Sequence, residues 1–224
     1  MDPSIIEGTL LAVARSLGRK FVYARVGEGV KRQQAKAALE RLAQARLCHL
    51  IVHSAANGLP LGAEVKDRFR KAAFVDVGLL HALVSTPAAE AFPRWDALAP
   101  ALRGQLADQL VAQQLRLAVC APEDLPEPFY WQREGGRPGE IDFLLQLQGI
   151  IIPVEVKSGA AGSMKSLHQF MHDKRLSLAL RCDTNPPSAM RVAISTTRGD
   201  PVAYDLISVP LYLCWNMATI VADR

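Results

Sequence analysis

Residues 139–159 read GEIDFLLQLQGIIIPVEVKSG. Two apolar runs, 141–147 and 150–156, flank Gln148-Gly149, a dipeptide that predicts a two-residue hairpin turn. So greasy a hairpin belongs in the middle of a buried sheet, yet it carries Asp142, Glu155 and Lys157. With Gln148 and Gly149 as the loop, 147 faces 150, 145 faces 152 and 143 faces 154. Asp142 then lies opposite Glu155 in the non-hydrogen-bonded class, where facing Cα atoms approach to about 4.5 Å. The same count sets Pro153 against Leu144, another non-hydrogen-bonded position, where its missing N–H costs the hairpin nothing. Lys157 follows Glu155 by two residues and so shares the face of both acids.

Two carboxylates held opposite each other repel unless a cation sits between them or one takes a proton. Mg²⁺, for which Mn²⁺ substitutes, is the natural occupant, because it binds one or two carboxylates together with waters and phosphate oxygens. Beside such an ion Lys157 orients a water or steadies a phosphate, the arrangement needed to hydrolyse a phosphodiester. The plainer reading is a sheet edge on which Glu155 pairs with Lys157 and Asp142 is solvated. Spacing alone leaves both open.

The rest of the chain sets limits. It has 224 residues, 50% of them apolar, and a net charge of +4, which describe a globular protein rather than a disordered one. Cys48, Cys120, Cys182 and Cys214 are scattered without a C-x-x-C pair, which argues against a zinc ribbon or a thioredoxin-type motif and fits a reduced, cytoplasmic chain. No signal-peptide pattern opens the chain and no apolar window approaches about 18 residues, so no membrane partner is expected. Between Arg15 and Arg46 lie nine Lys/Arg against Glu28 and Glu40. That excess suits a polyanion such as DNA, with Lys31, Arg32 and Lys36 on one helix as its contacts, and it equally suits a solvated helix face.

Periodicity divides the chain in two. In the first half, helices are predicted from an N-cap at Ser4 to about Gly18 and over 31–46, then strands over 47–54 and 72–77 separated by the turn-rich 55–62, and a short helix in GLLHALV. Helix, helix, strand, loop, strand is the order of a winged-helix unit, placed at 1–85. STPAAEAFPRWDALAP (85–100), with three prolines, reads as a linker, placed at 86–100. The remainder, 101–224, alternates. A helix at 101–118, the hairpin strands, a helix at 163–180 and strands at 190–196 and 203–209 make an α/β sheet flanked by helices. Tyr130 and Trp131 read as core. His168 and His172, one helical turn apart, read as a helix edge rather than a metal pair, and Lys165 near the start of that helix is a candidate phosphate contact.

The phrases E-I-D-F-L-L and I-I-P-V-E-V-K-S-G resemble the PD-(D/E)XK nuclease-like superfamily, with Asp142 as its aspartate and Glu155-Val156-Lys157 as its (D/E)-X-K. Together with LPLGAE (59–64), KAAFVDVGLLHAL (71–83) and RGQLADQLVAQQL (103–115), they resemble the C-terminal part of a family of prokaryotic P-loop AAA-type ATPases. In that family a nuclease-like domain of unknown function follows a winged helix. The resemblance implies a metal set of Asp142, Glu155 and an acidic residue four after a helical glycine. Here that residue is Asp108 after Gly104, where the family usually has Glu. It also implies an ATPase domain or partner. No G-x-x-x-x-G-K-[ST] occurs in this chain, and GAAGSMKS (159–166) has Met164 where the second glycine must stand, so no ATP site is expected. The Q-x-x-x-Y feature of some nuclease relatives is also missing, since Gln169 is followed four residues later by Asp173. The expectation is a nuclease-fold module that binds nucleic acid or a partner and cleaves weakly or not at all. The alternatives are a Mg²⁺-dependent endonuclease and a winged-helix transcriptional regulator.

Overall fold

The computed structural model describes residues 1–83, 98–119, 128–136, 138–159 and 162–223. The predicted linker and Cys120 fall largely or wholly outside them. The chain is a mixed α/β protein that divides into two compact units, 1–51 with 68–113, and 52–67 with 114–224. The boundaries between the units fall at 51/52, inside β1, at 67/68, inside β2, and at 113/114, inside the helix that follows the predicted linker.

In the first unit α1 (Pro3–Arg15) starts two residues earlier than the sequence reading places it. Asp2, not Ser4, is its N-cap: the Asp2 carboxylate accepts the Ser4 N–H at 2.9 Å, and Pro3 fills the first helical position, where no N–H is required. α2 (Arg32–Gln44) buries Ala35, Ala38, Leu39 and Leu42, the stripe its spacing predicts. Strands β1 (Cys48–Ser54) and β2 (Val65–Phe74) follow, then α3 (Val77–Leu83) and the long α4 (Pro100–Val119). β2 reaches back through the basic segment that was not expected to be strand. Gln109 of α4 is fully buried and clamps the end of β2, accepting the Phe74 N–H at 2.9 Å and donating to the Phe74 carbonyl at 2.8 Å. Gln109→Leu fits the volume but orphans both backbone groups, so it is expected to destabilise the protein by about 2–3 kcal/mol, as read by urea denaturation.

The second unit holds an eight-stranded sheet in the order β2-β1-β3-β4-β5-β6-β8-β7, to which β1 and β2 contribute their ends. Its other strands are β3 (Phe129–Gln132), β4 (Glu140–Leu147), β5 (Ile150–Val156), β6 (Leu178–Asp183), β7 (Ser188–Ser195) and β8 (Pro201–Pro210). β3, β4 and β5 run antiparallel, β5, β6 and β8 parallel, and β7 returns antiparallel at the edge. α5 (Lys165–Lys174) makes the crossover from β5 to β6, and α6 (Met217–Ala222) ends the chain. The helix predicted over 163–180 is therefore shorter. It stops at Arg175, in the left-handed region at φ 53°, and a strand takes its last residues. α5 places Leu167, Phe170 and Met171 against Trp131, Leu144, Ile151, Ala179 and Tyr204, a continuous apolar core beneath the hairpin. No helix among the described residues is long and apolar enough to cross a membrane.

Candidate phosphodiester site

The β4–β5 hairpin has the register its sequence predicts. Leu147 pairs with Ile150, Leu145 with Ile152, Leu144 with Pro153 and Phe143 with Val154. Gln148 (φ 50°) and Gly149 (φ 75°) both take the positive φ that a tight two-residue turn requires. Pro153 is harmless on both sides, because the parallel ladder to β6 begins only at Val154.

One step beyond Phe143 the two strands change their bonding. The Val156 N–H donates to Asp142 Oδ2 at 2.8 Å, so a carboxylate replaces the backbone acceptor. Glu155 lies within electrostatic reach of Asp142 and is only 7% exposed. Lys157 Nζ donates to Glu155 Oε1 at 2.6 Å. The other oxygen, Glu155 Oε2, is buried without any hydrogen-bond partner. Arg181, in register with Glu155 on β6, is turned to Asp183 at 2.8 Å and does not supply the missing donor. Burial first, and then the Asp142 charge, push the Glu155 carboxyl up to about 7, against the pull of Lys157. The aliphatic stem of Lys157 is held from the other side: a Cβ at Gly162 would come within 2.7 Å of Lys157 Cδ. Asp142, Glu155 and Lys157 are thus brought together.

An unpartnered buried carboxylate oxygen beside a second carboxylate fits a hard cation, and Asp142 and Glu155 are the residues that would hold it. Among the described residues no group of three or more His, Cys, Asp or Glu is gathered into a metal cage. Asp108, the implied third ligand, belongs to the first unit, where a Cβ at Gly18 (φ 68°) would run into its carboxylate. Lys31, Arg32 and Lys36 also lie in the first unit. Lys31 donates its N–H to Gln34 Oε1 at 3.0 Å, the Arg32 guanidinium lies 5.6 Å from the Tyr23 ring centre, and Lys36 faces Glu40 at 3.7 Å.

Lys165 opens α5 and lines a cleft of about 690 Å³ with Arg133, Ser166, Gln169, Thr197 and Arg198. Apart from Lys165, these residues went unnoticed as candidate contacts in the sequence, since they come from three distant segments and form no local pattern. Tyr130 and Trp131 are core, as expected. The two histidines of α5 part company: the Tyr204 hydroxyl meets His168 Nδ1 at 2.8 Å, whereas His172 faces Asp173 at 3.3 Å. Burial keeps the His168 imidazole below its usual range and therefore neutral near pH 7.

No curated protein and no solved structure matches the chain. Residues 1–90 match the family described as Domain of unknown function (DUF8612), and residues 103–198, which contain the hairpin and the described lining of the cleft, match Domain of unknown function (DUF4143).

Proposed function

We propose that the second unit is a nucleic-acid-binding module of the PD-(D/E)XK nuclease type that works beside a P-loop ATPase. Its hairpin site takes Mg²⁺ together with a phosphate and turns over slowly. The observation that carries this reading is Glu155, buried, with one oxygen bonded to Lys157 and the other unpartnered, next to Asp142. Two carboxylates leave most of the Mg²⁺ shell to waters and ligand oxygens, so ion and phosphate are expected to bind cooperatively. The test is fluorescence anisotropy of a labelled single-stranded oligonucleotide with and without millimolar Mg²⁺. Binding should tighten severalfold with the ion in the wild type and not in Asp142→Asn. Equal affinity with and without Mg²⁺ would remove the metal from the account.

The second reading is a competent Mg²⁺-dependent endonuclease. It is favoured by the Glu155 carboxyl, held near pH 7 where proton transfer is most effective, and by the ammonium group of Lys157 bonded to it. A bound ion would supply Lewis acidity and a more acidic water, while Glu155 and Lys157 fix the polarity around them. Mg²⁺-dependent cleavage of plasmid or single-stranded DNA that vanishes in Lys157→Ala would establish this stronger form.

A further inference from the structure

We infer that the cleft at the start of α5 is a second nucleic-acid contact, binding a phosphate of the strand together with part of its attached nucleoside. Three cationic side chains line it: Arg133 from the end of β3, Lys165 from the first turn of α5, and Arg198 from the β7–β8 turn. Ser166 and Thr197 also line it. Arg133 is positioned in advance. Its guanidinium lies 5.8 Å from the Trp131 ring centre and 3.3 Å from Asp173 Oδ2, and its N–H closes the loop onto the Gly139 carbonyl at 2.7 Å. Among the described residues lining the cleft are three cations and no carboxylate, which favours an anionic ligand. Met164, at the N-cap of α5, provides no side-chain acceptor for the first-turn amides, which add to the pull on an anion.

Gln169 specifies more than an anion. It is 3% exposed, and its Nε2 donates to Asp173 Oδ1 at 2.8 Å, which fixes the amide orientation and makes the other atom the oxygen. That oxygen, Oε1, is buried without a hydrogen-bond partner, and Gln169 is one of the residues that line the cleft. It needs a donor. A phosphodiester has none, whereas the nucleoside attached to it carries base N–H groups and, in RNA, a 2′-hydroxyl. Cations for the phosphate and one acceptor for the nucleoside together describe a nucleotide unit, and the volume accommodates one.

This inference rests on the nucleic-acid reading of the second unit but not on the metal, so the test is run in EDTA with the full chain. Anisotropy of a labelled single-stranded oligonucleotide is compared between wild type and Lys165→Ala/Arg198→Ala. Both side chains are exposed and outside the hairpin, so circular dichroism should be unchanged. The double variant is expected to bind about tenfold more weakly, with the slope of log K against log salt reduced by about one to two. Unchanged affinity and slope would overturn the cleft and leave the broader reading standing, whereas no binding by either protein would overturn both. A free mononucleotide should compete far more weakly than the oligonucleotide. Equal competition would mean that the cleft takes a soluble nucleotide, and the strand assignment would fall.

Discussion

Lys157→Ala is expected to destabilise the protein by about 2 kcal/mol at pH 8 in EDTA, and by little at pH 4.5. Glu155 is buried, and Lys157 donates a 2.6 Å charge-assisted bond to its carboxylate. Removing one member of a buried pair costs more than the pair contributes, because the remaining charge stays desolvated. Here the carboxyl can escape by protonating, which caps the loss and makes it depend on pH. At low pH Glu155 is neutral in both proteins and only a hydrogen bond is lost; at high pH the variant must either ionise unaided or hold a proton against the solvent. The titration of Glu155, followed by NMR, should therefore move above the value of about 7 in the wild type. Adding Glu155→Gln to Lys157→Ala removes the stranded charge and should recover most of the stability. A Lys157→Ala loss that is the same at pH 4.5 and pH 8 would mean that the amine acts by packing alone.

Glu155→Gln by itself is expected to stabilise the metal-free protein. The folded-state value of about 7 lies above the ordinary 4.5, so between these pH values the native state binds more protons than the unfolded one. Stability is fully present below pH 4.5 and falls as pH rises through about 7. A raised value of this size corresponds to about 3 kcal/mol at full ionisation, and losing the bond to Lys157 offsets part of the gain, which leaves about 2 kcal/mol in favour of the glutamine variant at pH 8. The two proteins should converge near pH 4.5. Urea denaturation across this range checks the sign directly. Millimolar Mg²⁺ with oligonucleotide should narrow the difference from the other side, because a ligand bound only by the folded wild type stabilises it.

The hairpin was legible in the sequence because everything that fixes it is local. Gln148-Gly149 supplies the turn, two apolar runs of matched length supply the strands, and counting outward sets the register. The acids and the amine follow from that count. What counting did not reveal is that the Asp142 carboxylate takes over a backbone bond at Val156. β6 was lost to the preceding helix, since Leu-Ala-rich sequence suits either state and the chain breaks at Arg175 without the glycine that normally marks such an end. β3 was lost because four residues after a proline-rich stretch carry too little periodicity to show. Asp108 follows its glycine at the distance the resemblance implies and lies in the first unit. The cleft needed three dimensions. Arg133, Gln169 and Arg198 come together only because β3, α5 and the β7–β8 turn meet at one end of the sheet.

The most direct measurement is anomalous diffraction from a crystal grown with Mn²⁺ and a short oligonucleotide. The account predicts one manganese peak between the Asp142 and Glu155 carboxylates, with a phosphate oxygen completing its shell. Ordered oligonucleotide in the crystal with no peak there, and Glu155 still closed on Lys157, would contradict it.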